Sequence, residues 1–124
     1  MAEIEGQDAV TKYKVKKEVV DGITFDSRRE AARYTELVLL SRAGKITGLT
    51  LQVPFVLAPS VKFSGARAAK PAIRYFADFV YSDVELGKIV VEDVKSPATA
   101  KLAAFQLKRH LMLSVHGIDV KIVH

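Results

Sequence analysis

Apolar positions recur along this chain with two periods, one near two residues and one near three and a half, and the changes of period mark the elements. Lys14 to Val20 and Ile23 to Phe25 flank Asp21-Gly22 and read as a short hairpin, because Asp-Gly suits a two-residue type I′ loop. Ser27 then has the character of a helix N-cap, with a helix over 28–42 and Gly44 as its stop. Within that helix Glu30, Tyr34, Leu37 and Val38 share an inward face, whereas Arg29, Arg33 and Glu36 lie on another. Ile46 to Leu57 reads as a strand bent at Pro54, which confines it to an edge or a bulge. Tyr75 to Tyr81 and Ile89 to Lys95 form a second hairpin, and pairing Asp83 with Lys88 leaves a four-residue loop ending at Gly87.

Ser96-Pro97 opens a second helix, expected to run to about Val115 and to end at Gly117, followed by a closing strand from Ile118 to Val123. Ala100, Ala104, Leu107, Leu111 and Val115 make one apolar stripe, expected to face the sheet. Leu102, Phe105, Met112 and Leu113 make a second stripe. Burial under the N-terminal segment and a homodimer interface both account for it. Residues 1–11 have no periodicity and are expected to form a disordered tail, leaving 12–124 as a single domain.

At 124 residues the chain is long enough for one core without staples. It has no cysteine, which excludes disulfides and thiolate zinc sites, and the spacing of its 3 histidines fits no zinc motif. No apolar run has the length of a membrane span, and Met1 to Val10 is acidic rather than signal-like, so the expected compartment is the cytoplasm.

The net charge of +5 is unevenly spread. Lys12, Lys14, Lys16 and Lys17 form one cluster, and Lys62, Arg67, Lys70 and Arg74 another with no acid between them. Lys101, Lys108 and Arg109 stand in an acid-free stretch as well. Singly these are ordinary solvated cations; together they are candidates for a DNA phosphate backbone, where counterion release drives binding.

The hairpin carries the candidate chemistry. Counting back from Asp83 and Lys88, Asp78 falls opposite Asp93, and Lys95 shares the face of Asp93. Facing carboxylates in an apolar strand pair repel, and burying them unpartnered costs several kcal/mol, roughly. A divalent metal at the two acids is one resolution; acids at a solvent rim with Lys95 in a plain ion pair are the other. Glu92 faces away from Lys95. Glu30 also has two readings, since Ser27-x-x-Glu30 is a capping-box pattern.

An acid in one strand, a turn, then acid-x-Lys in the next resembles the PD-(D/E)XK nuclease superfamily, with Ala77 where that family has proline. Gln52-Val-Pro-Phe-Val-Leu-Ala-Pro59, Tyr75-Phe-Ala-Asp-Phe79 and Gly87 to Lys95 resemble, in order and spacing, the Holliday-junction-resolving endonuclease I family of T7-like phages. The helix start from Phe25 to Ala31 is similar to that of an uncharacterised phage family. The resemblance covers roughly residues 13–123. It implies an α/β restriction-endonuclease-like core with a mixed sheet flanked by helices. It further implies a DNA endonuclease, most simply a branched-DNA resolvase acting as a homodimer in the bacterial host cytoplasm. The implied catalytic set is Glu30, Asp78, Asp93 and Lys95. Mg²⁺, or Mn²⁺ in its place, would be held by Asp78, Asp93, Glu30 and the Val94 carbonyl. The alternatives are a nicking or end-processing nuclease on the same fold, and a non-catalytic DNA-binding or host-inhibiting protein.

Overall fold

The computed structural model of the protein describes residues 17–124. The expected tail and the lysines from Lys12 to Lys16 lie outside the described residues. The described residues divide into two compact units, with the boundary between Thr35 and Glu36, inside the first helix.

In the first unit β1 (Glu18–Val20) pairs antiparallel with β2 (Ile23–Phe25). Asp21 and Gly22 both take positive φ, 53° and 77°, as the type I′ turn requires. Helix α1 (Arg28–Arg42) starts where expected: Ser27 Oγ accepts the Glu30 backbone N–H at 3.0 Å. The Phe25 and Tyr34 rings lie 5.1 Å apart, and the Tyr34 hydroxyl donates to Asp21 Oδ2. Glu30, Ala31 and Leu37 are buried and Glu36 is exposed, so the inward face is the one the periodicity assigns. Gly44 adopts φ 75°, and the Lys45 N–H closes the helix end on the Leu40 carbonyl.

The second unit is built on a mixed four-stranded sheet in the order β3-β4-β5-β6. Strand β3 (Ile46–Ala58) forms one edge, which accommodates Pro54 and its missing N–H. It pairs antiparallel with β4 (Ile73–Asp83), with register shifts between Thr47 and Thr50 and between Val56 and Ala58. Strand β5 (Lys88–Val94) pairs with β4 from Asp83↔Lys88 to Phe79↔Glu92, the expected register. The parallel partner β6 (Lys121–Val123) covers the other side of β5. Leu57, Tyr75, Ala77, Val91 and Val120 form the core with Ala100, Phe105 and Met112 from the helical segment.

That helical segment departs from expectation. It is two helices, α2 (Pro97–Ala100) and α3 (Ala103–His116), rather than one. The Lys101 and Leu102 N–H groups bond three residues back, to Ala98 and Thr99, and Leu102 then takes an extended ψ of 138°. The break resets the helical phase. Phe105 and Met112 point into the core, whereas Leu107 and Val115 of the stripe assigned to the sheet are exposed. Among the described residues no helix is long and apolar enough to cross a membrane.

Candidate active site

The β4–β5 ladder stops at Phe79↔Glu92, and the next residue outward on each strand is an acid. Asp78 takes over where the ladder ends. Its Oδ2 accepts the backbone N–H of Val94 at 2.8 Å, and its Oδ1 accepts from Gln52 Nε2 of β3 at 3.0 Å. Gln52 has φ 51° within a strand, an unfavourable conformation for a residue with a side chain, and it carries this bond.

Asp93 is buried. Its Oδ2 accepts from the Tyr75 hydroxyl at 2.8 Å, and the Lys95 ammonium lies 3.6 Å from its Oδ1. Burial first, then a hydrogen bond to Asp78 and that residue's negative charge, push the Asp93 carboxyl up to about 7, against the lowering effects of Tyr75 and Lys95. Tyr75 is in turn held far above the usual phenol range by burial and by the charge of Asp93. Asp93 therefore holds its proton well above the usual carboxylate range, with the negative charge of Asp78 among the causes.

Lys95 is fixed from both sides of its backbone. Its N–H donates to the Val123 carbonyl at 2.9 Å, and its carbonyl lies 2.8 Å from His124 Nδ1. Its ammonium stands 5.1 Å from the centroid of the Phe105 ring, within cation–π range. The acids and Lys95 open onto a cleft of about 340 Å³, walled by Phe76, Thr99, Leu102 and Lys108 among others.

Asp78, Asp93 and Lys95 are therefore brought together, with Lys108 on the cleft wall. Arg109 is drawn to Asp119 instead, at 3.8 Å, and does not line this cleft. Lys101 is exposed at the end of α2. Lys62, Arg67, Lys70 and Arg74 are exposed on the β3–β4 connection and the start of β4. Glu30 belongs to the first unit, where its backbone N–H completes the Ser27 cap. Glu92 is fully buried on other partners, the Tyr81 hydroxyl and Lys121. Tyr75, Gln52, Phe105 and His124 have site roles that the motif did not announce.

The donor set at the acids is hard oxygen, the chemistry of Mg²⁺ and Mn²⁺ rather than of zinc. Two neighbouring carboxylates, one of them buried, make a place where a divalent cation could offset the charge, so the residues fit such an ion. Among the described residues no group of three or more His, Cys, Asp or Glu is arranged to hold a metal, and the candidate has two carboxylates.

Residues 10–122 match the family described as Protein of unknown function (DUF1064), and the chain belongs to that family. No curated protein and no solved structure gives a significant match to the chain.

Proposed function

We propose that this protein is a divalent-metal-dependent DNA endonuclease with a restriction-endonuclease-like core, in which Asp78, Asp93 and Lys95 carry the chemistry. One observation carries the reading: two carboxylates brought together at the fork of β4 and β5, with an ammonium 3.6 Å from one of them and an open cleft in front. A structural ion pair needs one acid for one lysine. A second acid beside it raises the cost of burial, a feature functional sites retain and packing alone does not favour.

Asp78 and Asp93 would hold Mg²⁺ or Mn²⁺, with the Val94 carbonyl as a further oxygen ligand. When bound, the ion supplies an acidified water and neutralises charge building on a phosphate. The protein's own groups do the rest. Gln52 and the Val94 N–H fix the rotation of the Asp78 carboxylate, and the Tyr75 hydroxyl fixes that of Asp93. Lys95, anchored by Val123 and His124, presents a positive charge where the pentavalent phosphorane would form. Lys108 adds a second cation on the wall for the substrate backbone.

Among the described residues no helix or ribbon stands out as a base reader, so selectivity falls on DNA shape, and a branched or four-way junction is the substrate of first choice. A homodimer presenting two sites suits a two-fold junction. The direct test is cleavage of a synthetic four-way junction against a linear duplex, with and without Mg²⁺. Junction cutting that requires Mg²⁺ supports the resolvase. Mg²⁺-dependent cutting of nicked or free-ended duplex alone moves the assignment to end processing. DNA binding without cutting under any divalent ion leaves a non-catalytic binder.

A further inference from the structure

We infer that the hairpin tip formed by residues 59–72 is a wedge for unpaired DNA, with Phe63 stacking on an exposed base and Lys62, Arg67 and Lys70 holding the flanking phosphates. This deepens the nuclease reading and rests on it.

The tip is a defined turn. Val61 and Lys70 exchange backbone hydrogen bonds of 3.2 and 2.6 Å beyond the ends of β3 and β4, so the ladder continues into the loop. The Ala66 N–H then donates to the Phe63 carbonyl at 3.0 Å, and Gly65 takes φ +79°, which closes the reversal. Phe63 stands at the head of this turn with 62% of its surface exposed. A ring held there adds nothing to the core, and a water-exposed phenyl on an ordered turn is a stacking platform lacking only a partner.

The charge around the ring selects that partner. No Asp or Glu occurs anywhere in residues 37–77, while Lys62, Arg67, Lys70 and Arg74 are all exposed. Cations interleaved with an exposed aromatic, over an acid-free stretch, match a polyanion that also offers flat apolar faces. Nucleic acid is that polymer. Geometry connects the tip to the acids. Asp78 and Lys70 are eight residues apart along β4 and its lead-in, which spans roughly 25 Å at the rise of an extended chain. That corresponds to about seven or eight base-pair steps. One bound duplex could therefore lie in the cleft and meet the tip, and Phe63 would engage only where a base is free of its stack.

The chain has no tryptophan, so Phe63→Trp introduces a single indole at the wedge and preserves stacking. The probes are a fluorescein-labelled duplex carrying a short unpaired bulge and its fully paired counterpart, with binding followed by anisotropy. Indole emission should be quenched by the bulged duplex and little by the paired one. Phe63→Ala should weaken bulge binding about tenfold or more and leave paired-duplex binding nearly unchanged. Its melting temperature should stay that of the wild type, because the ring is exposed. Equal quenching by both duplexes, or none while both bind, overturns the wedge and leaves the nuclease reading standing. Failure of the wild-type protein to bind either DNA overturns both.

Discussion

The backbone N–H of Val94 donates to the side chain of Asp78 at 2.8 Å, so the residue between the second acid and the lysine holds the first acid in place. A carboxylate here substitutes for the β4 backbone, which no longer pairs with β5 beyond Glu92. The end of the ladder and the acid pair are thus one feature, and altering Asp78 disturbs both.

Asp78→Ala should cost about 1–3 kcal/mol, because it strips an acceptor from the Val94 N–H and from Gln52. Asp78→Asn keeps an acceptor and should cost less. Denaturant unfolding gives the two values, and amide exchange at Val94 locates the effect. An Asp78→Ala protein as stable as the wild type, with Val94 still protected, would refute the assigned bond.

The metal-free protein should lose stability as pH rises. Asp93 keeps its proton up to about 7 when folded, against 3.8 as its ordinary value, so folding takes up a proton between these limits. The contribution is full below 3.8 and gone once pH has passed through about 7. Thermal melts from pH 4 to 8 without divalent ions should show the decline, and Asp93→Asn should flatten it. Mg²⁺ added at pH 8 should raise the wild-type midpoint by mass action.

The acid register was legible because hairpin pairing is arithmetic. Asp83 opposite Lys88, with Gly87 at φ 66° closing the loop, places Asp78 next to Asp93 without further information. Asp21-Gly22, Ser27 and Pro54 were legible for the same local reason: each residue type suits few backbone states. The break at Lys101 and Leu102 was not, since neither glycine nor proline marks it. It depends on hydrogen bonds three residues back and on the pull of Phe105 and Met112 into the core. Alternation alone assigns Tyr75 and Asp78 to opposite sides of β4, yet the Tyr75 hydroxyl reaches Asp93, in a stretch that β5 no longer pairs. His124 and Gln52 act through tertiary proximity, which no spacing encodes.

The reset helical phase has its own consequence. Met112→Ala should cost about 2–5 kcal/mol, as for a fully enclosed side chain, whereas Leu107→Ala should cost well under about 1 kcal/mol at an exposed site. Equal losses in unfolding experiments would restore the continuous helix.

Glu30→Gln separates the two readings of that residue. If the catalytic assignment that the resemblance implies holds, the variant lowers cleavage at least about a hundredfold, with a stability change smaller than the roughly 1 kcal/mol of a lost cap. The Ser27 bond uses the Glu30 backbone and survives the substitution. An active Glu30→Gln enzyme would confine Glu30 to helix structure.

The central claim is that Asp78 and Asp93 hold a catalytic metal, and single-turnover cleavage with the two asparagine variants tests it most directly. Wild-type protein should cut a labelled four-way junction only with Mg²⁺ or Mn²⁺. Asp78→Asn and Asp93→Asn should lower the rate by several orders of magnitude while binding the junction as tightly or more tightly, since removing negative charge eases the approach of phosphate. Mg²⁺-dependent cutting at near wild-type rates by both variants would contradict it.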